Sequence, residues 1–195
     1  MHRHHRNRRG SVTIVAVASY SSVAAAGSVR DQYSKGAFGL PWNAGKADIQ
    51  SKFPGGNWTE DDKGRPKYCA ASRQTLLKLP AQFQSKEMCF LIGTDGTLAS
   101  ATATLDPSLQ SLLAIVNRSR TTFGDFDAVV RDQQAIQSRS TAMLWTRDAP
   151  YVVRVESQND TDGRPLVVTY TVADEANLYT AGASKVSTVP DSAKK

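Results

Sequence analysis

A chain of 195 residues, 40% of them hydrophobic, is long enough for one substantial core and at most two small domains. The formal net charge is +6, but four arginines precede residue 27 in a segment that has no acidic residue. Without that segment, 20 basic residues face 18 acidic ones, a net charge of +2. A balance this even argues against a nucleic-acid-binding protein.

The first 26 residues have the layout of an export signal. A basic stretch, MHRHHRNRRG, precedes an apolar run that begins at 12–18, and three alanines at 24–26 offer a small-residue cleavage site. The apolar run is too short for a membrane span, which needs about 20 residues. We expect cleavage after Ala26 and an exported protein, periplasmic or secreted. A transit peptide and an expression leader are the alternatives.

The next segment predicts a linker and then a short helix. Residues 27–37 are small and polar, which is typical of a linker into a fold. Asn43 is a suitable N-cap for a helix that starts near Ala44 and carries apolar residues at helical spacing up to Phe53. Pro54 cannot continue this helix.

Strands dominate the rest of the first half. Residues 57–66 are rich in turn formers and acids, and we interpret them as a loop. The Asp95-Gly96 pair predicts a hairpin turn. The strand candidates are 67–72, 75–79, 87–92 and 97–105.

The second half repeats the order of helix and strands. Asp106 and Pro107 predict a helix start, and the helix should run to about Arg120. Its apolar stripe is predicted at helical spacing: Leu109, Leu112, Leu113 and Val116. A weaker helix is predicted at 125–137, then strands at 141–147, 151–157 and 165–172. Residues 181–195 are small and polar, typical of a flexible tail.

This order predicts the α+β class, with short helices packed on one face of an antiparallel sheet. We expect a single domain over 38–180, divided into a half at about 38–105 and a half at 106–180. No strand–helix–strand alternation and no G-x-G-x-x-G motif occur, which disfavours a nucleotide-binding α/β fold.

The chain offers little catalytic chemistry. Its three histidines, at positions 2, 4 and 5, all lie in the predicted leader, so the mature chain lacks imidazole for Ser-His-Asp or Cys-His catalysis. We therefore expect no catalytic residue, no metal site and no cofactor. Cys69 and Cys89 have no C-x-x-C spacing, and in an oxidising compartment they should form a disulfide. Two buried free thiols are the alternative.

Two acidic segments deserve separate interpretations. Glu60, Asp61 and Asp62 form the one acidic cluster, and with the neighbouring Trp58, which we expect to be partly exposed, they are candidates for contacts with a partner protein. The sequence of residues 159–163 is similar to that of a calcium loop. An EF-hand needs other residues at its first and twelfth positions, which favours a solvated turn.

One resemblance bears on function. The segment FGLPWNAGKADIQSKFPGGNW, residues 38–58, followed by strands, resembles small exported bacterial modules of the β-lactamase inhibitory protein-like and outer-membrane small-protein-A-like groups. The chain lacks the lipidation cysteine of the second group. Both groups bind other proteins, so the resemblance implies a non-enzymatic protein-binding module such as an inhibitor or immunity-like protein. An envelope assembly accessory and a carboxylate-based hydrolase are the alternatives; we expect a protein partner, no nucleic acid and no membrane span.

Overall fold

The structure, a computed structural model, describes residues 27–132, 139–160 and 162–175. The predicted leader at 1–26 and the predicted tail at 181–195 lie outside the described residues. The helices are α1 Val29–Tyr33, α2 Lys46–Lys52 and α3 Leu109–Phe123, with a short 3-10 helix at Ala81–Phe83. The strands are β1 Asn57–Glu60, β2 Pro66–Ala71, β3 Glu87–Ile92, β4 Leu98–Leu105, β5 Ala128–Asp132, β6 Arg139–Trp145, β7 Tyr151–Asn159 and β8 Pro165–Asp174.

The eight strands form one antiparallel sheet in the order β1-β2-β3-β4-β8-β7-β6-β5. Each half of the chain is therefore a four-stranded meander that runs from an edge of the sheet to its centre. The two meanders meet where β4 pairs with β8, from Ser100 opposite Ala173 to Leu105 opposite Val168. The predicted α+β class with two helix-then-strands halves is confirmed.

One face of this sheet packs against the helices and forms the core. Alternate residues of each strand point to opposite faces, and most of those on the helix side of the inner strands are almost fully buried. The largest of these are Trp145, Tyr68, Tyr170 and Phe90, each 0–1% exposed. Phe53, which follows α2, lies 4.5 Å from Phe90 between ring centroids. The expected placement of the helices on one face is thus confirmed.

The predicted linker at 27–37 is instead part of the fold. Ser28 caps α1 by accepting a hydrogen bond from the backbone of Asp31. Val29 and Tyr33 are buried in the core, and the hydroxyl of Tyr33 lies 2.8 Å from that of Tyr170. Burial raises the pKa of Tyr33 to about 12. The residues between Val29 and Tyr33 are polar, so the sequence pattern did not indicate this one-turn helix. Through Tyr33 the helix contacts β8.

The helix predicted near Ala44 exists but starts later. Its N-cap is Gly45, not Asn43, and the backbone N–H of Gly45 donates to the side chain of Asp48. Gly56 is required after this helix because a Cβ there would lie 2.4 Å from the backbone oxygen of Cys69. The turn after α2 therefore passes directly against β2.

The apolar stripe predicted for the second-half helix is correct at Val116, which is buried, and at Leu112, which packs partly buried against the core, but wrong at Leu109 and Leu113. Ser108 caps α3 rather than Asp106, and Leu109 and Leu113 are 59% and 51% exposed. The buried face instead includes Ile115 and, at the last turn, Phe123. The ring of Phe123 contacts the rings of both Tyr33 and Trp145, and these aromatic contacts fix the rotation of the helix.

Three other segments differ from the sequence prediction. Residues 57–60, expected in a loop, form the edge strand β1, and 128–132, expected in a helix, form the edge strand β5. Residues 75–79, expected as a strand, form a turn that buries Leu76 and Leu79. Local sequence patterns did not indicate the two edge strands because they are short and half-exposed.

The two sides of α3 give a direct test of its orientation. We expect Ile115→Ala to lower the free energy of unfolding by about 2–5 kcal/mol, because it removes a fully buried side chain. Leu113→Ala should change it by about 0.5 kcal/mol or less, as is usual at exposed positions. Urea denaturation of both variants measures the difference. Equal losses would contradict this orientation of α3.

Candidate interaction surface

The face of the sheet opposite the helices is the candidate site, and we call it the open face. Its residues alternate along each strand with the buried ones. Each of the two central strands contributes three residues to its centre. The register places Ser100, Thr102 and Thr104 of β4 opposite Ala173, Thr171 and Thr169 of β8. We call these six residues the central stripe.

The central stripe carries no charge and is rich in hydroxyl groups. Its four threonines are half-buried, while Ser100 and Ala173 are buried. The hydroxyl oxygens of Thr102 and Thr171 lie 2.9 Å apart in a cross-strand hydrogen bond. β-Branched side chains with few rotamers make this part of the face rigid.

Charged residues flank the stripe on both sides. Lys67 of β2 and Glu87 of β3 point to the open face on one side, and Arg154 and Glu156 of β7 do so on the other. Arg154 and Glu156 form an ion pair of 2.8 Å. The open face is therefore uncharged at its centre and electrically balanced at its sides.

The disulfide lies on this same face. Cys69 and Cys89 are directly opposite in the β2–β3 register, with their Cα atoms 4.1 Å apart, and they are bonded. The predicted bridge is thus confirmed. Glu87 has a carboxylate oxygen 3.6 Å from the sulfur of Cys89. These three residues are the cluster of potential metal ligands found among the described residues, but the disulfide occupies both sulfurs.

Trp58 and the acidic cluster lie elsewhere. Trp58 is opposite Tyr68, so it faces the helix side, where its ring lies 5.0 Å from that of Tyr68. It is partly exposed, as predicted. Glu60 and Asp62 are exposed at the β1–β2 hairpin. The sequence-predicted partner residues are therefore not brought together with the central stripe.

Asp61 organises the β1–β2 hairpin. Its carboxylate accepts hydrogen bonds from the backbone N–H groups of Lys63 and Arg65 and from the guanidinium of Arg65. Burial acts to raise the pKa of Asp61, but these hydrogen bonds together lower it. This carboxylate is held ionised by its own turn.

The segment 159–163, whose sequence is similar to a calcium loop, forms the same kind of turn. The two hairpins share the pattern D-x-x-G-R-P, at 61–66 and 160–165. Asp160 accepts hydrogen bonds from the backbone of Asp162 and Arg164, in the positions that correspond to those around Asp61. The interpretation of this segment as a turn is confirmed.

Sequence reasoning missed the central stripe, although a signal for it was present. The triplets Thr-Ala-Thr at 102–104 and Thr-Tyr-Thr at 169–171 alternate hydroxyl and core residues with period two. Each triplet alone resembles an ordinary half-buried strand. Only the register of β4 with β8, which joins residues far apart in the chain, shows that the two lie side by side.

Comparisons of the chain with protein-family models, curated proteins and solved structures found no match. In the part of the chain that the structure describes, no helix is long and apolar enough to cross a membrane.

The disulfide closes a loop whose ends are 20 residues apart, and chain-entropy arguments assign such a bridge about 3 kcal/mol. We expect the double variant Cys69→Ala/Cys89→Ala to lose about that much free energy of unfolding. The loop is more than a polar connection, because it buries Leu76, Leu79 and Ser85.

Guanidinium denaturation of the variant and the parent protein measures this loss. The pair Thr102→Ala/Thr171→Ala, next to the bridge on the same face, is the control and should cost about 1 kcal/mol for its hydrogen bond. Equal stability of the parent and the cysteine variant would rule out the proposed role of the bridge.

Proposed function

We propose that this chain is an exported protein-binding module that docks the open face of its sheet onto another protein, as an inhibitor or immunity-like protein would. The observation that carries the proposal is the uncharged central stripe. Depletion of charge at the centre with polar groups at the rim is the pattern of protein interfaces.

The size of the open face fits this role. Its width is seven gaps of about 4.8 Å between eight strands, and its depth is about six residues of about 3.3 Å along each central strand. Its area is therefore on the order of 700 Å². A standard protein–protein interface covers about 800 Å² on each partner. The sheet also holds its side chains in place, so few would need to be ordered on binding.

The carboxyl groups favour binding over hydrolysis. A general acid at neutral pH needs a raised pKa. Among the described residues, hydrogen bonds lower the pKa of the carboxyls of Asp61, Asp95 and Asp127, against the opposing effect of burial where it applies. Asp61 and Asp95 are bound within their own turns, to Arg65 and Thr97, and Asp127 is bound to Arg147, which follows β6.

Export is supported by the disulfide and by the layout of the first 26 residues. Structural disulfides persist in oxidising compartments and are rare in the cytosol. A partner in the periplasm or outside the cell follows from this location.

The test compares two charge-matched double variants. Thr102→Arg/Thr171→Arg places two cations in the central stripe, and Gln110→Arg/Asn117→Arg places two on the exposed side of α3. Each protein is immobilised and used to capture partners from envelope and secreted fractions of the source cells. The captured partner is then purified, and its affinity is measured by titration calorimetry.

We expect a 1:1 complex with the parent protein that the α3 variant retains and the stripe variant weakens at least 100-fold. Thermal melting confirms that both variants remain folded. A complex equally strong with the stripe variant would contradict the proposal. A soluble enzyme as the partner supports inhibition, whereas an outer-membrane complex supports the alternative role in envelope assembly.

A further inference from the structure

A second surface lies on the helix side of the sheet, where α2 meets the β1–β2 and β3–β4 hairpins. It is an open pocket of about 650 Å³, within the size range of small-molecule sites. Ile92 and Pro66 supply apolar wall, and the turn at 93–96 closes one side. This pocket is separate from the open face.

Basic side chains dominate the lining of the pocket. Lys46, Lys63 and Arg65 all line it, and none of the other described lining residues is acidic. Two nearby carboxylates are held by their own turns: Asp61 accepts from Arg65, and Asp95 accepts from the backbone N–H and the hydroxyl of Thr97. Asp62, next to Lys63 in the chain, is exposed. The walls therefore present positive charge, offset in part by Asp61 behind Arg65.

Two of the cations are held in place. The guanidinium of Arg65 lies 2.8 Å from the carboxylate of Asp61, and the side chain of Arg65 is only 16% exposed. The ammonium group of Lys46 lies 5.0 Å from the centre of the Trp58 ring, within cation–π range. Such fixed positions reduce the entropy lost when a ligand binds.

We propose that this pocket binds an oxyanion, a carboxylate or phosphate group carried on a small or partly apolar body. Lysine and arginine are the residues that recognise such groups, and Pro66, which is half-buried, offers contact for carbon atoms. The group can come from a free small molecule or from an acidic side chain of a protein. The chemistry is the same for both sources, and the experiment separates them.

The experiment titrates the full folded protein, labelled with ¹⁵N, with two probes at low salt. One probe is inorganic phosphate, and the other is an acetylated, amidated peptide of four glutamates. We expect saturable binding of at least one probe, with shift changes at the amides of Gly64, Gly93 and Gly96. Phosphate alone would identify a small-anion site, and the peptide alone would identify a site for acidic protein segments.

Matched variants assign the binding to the pocket. Lys46→Met/Lys63→Met should weaken binding at least tenfold. Lys35→Met/Lys78→Met removes the same charge from exposed positions outside the pocket and should change it less than twofold. Thermal melting establishes that both variants are folded. No saturable binding of either probe, or equal weakening by the two double variants, would overturn the proposal.

Discussion

The pairing of β4 with β8 is the constraint on which the rest of the structure depends. Six residue pairs join the last strand of each half, and through them two four-stranded meanders become one sheet of eight. Without this contact each meander would expose a long inner edge with unpaired backbone groups, a known route to aggregation. With it, the edges of the sheet formed by the described residues are the short strands β1 and β5, and a single core spans both halves.

The same pairing determines which surfaces are available for binding. All three helices pack on one side, so that Tyr33 of α1 and Phe123 of α3 share the core with Tyr170 of β8. Among the described residues no helix covers the other side, and its central positions are threonine, serine and alanine. The open face and the basic pocket therefore lie on opposite sides of the sheet, which allows a macromolecule at the first and an anion at the second without competition.

Much of the fold could be predicted from local sequence, and the failures have physical causes. The hairpin at Asp95-Gly96 and the Cys69–Cys89 bridge depend on nearby residues and were predicted correctly. The rotation of α3 was not, because both Leu113 and Ile115 fit a helical stripe and distant aromatic contacts of Phe123 decide between them. The central stripe was not predicted, because its two alternating triplets come together only after strands about seventy residues apart are paired, as Thr102 and Thr171 are.

Native-state hydrogen exchange followed by mass spectrometry and NMR tests the central claim most directly. If the β4–β8 pairing holds the two halves as one cooperative unit, the amides of Ala101, Ala103, Tyr170 and Val172 should be the slowest to exchange. They should open together, with a free energy equal to that of global unfolding. Exchange of these amides at a lower free energy, while β2 and β6 remain protected, would show two independent halves and contradict the account.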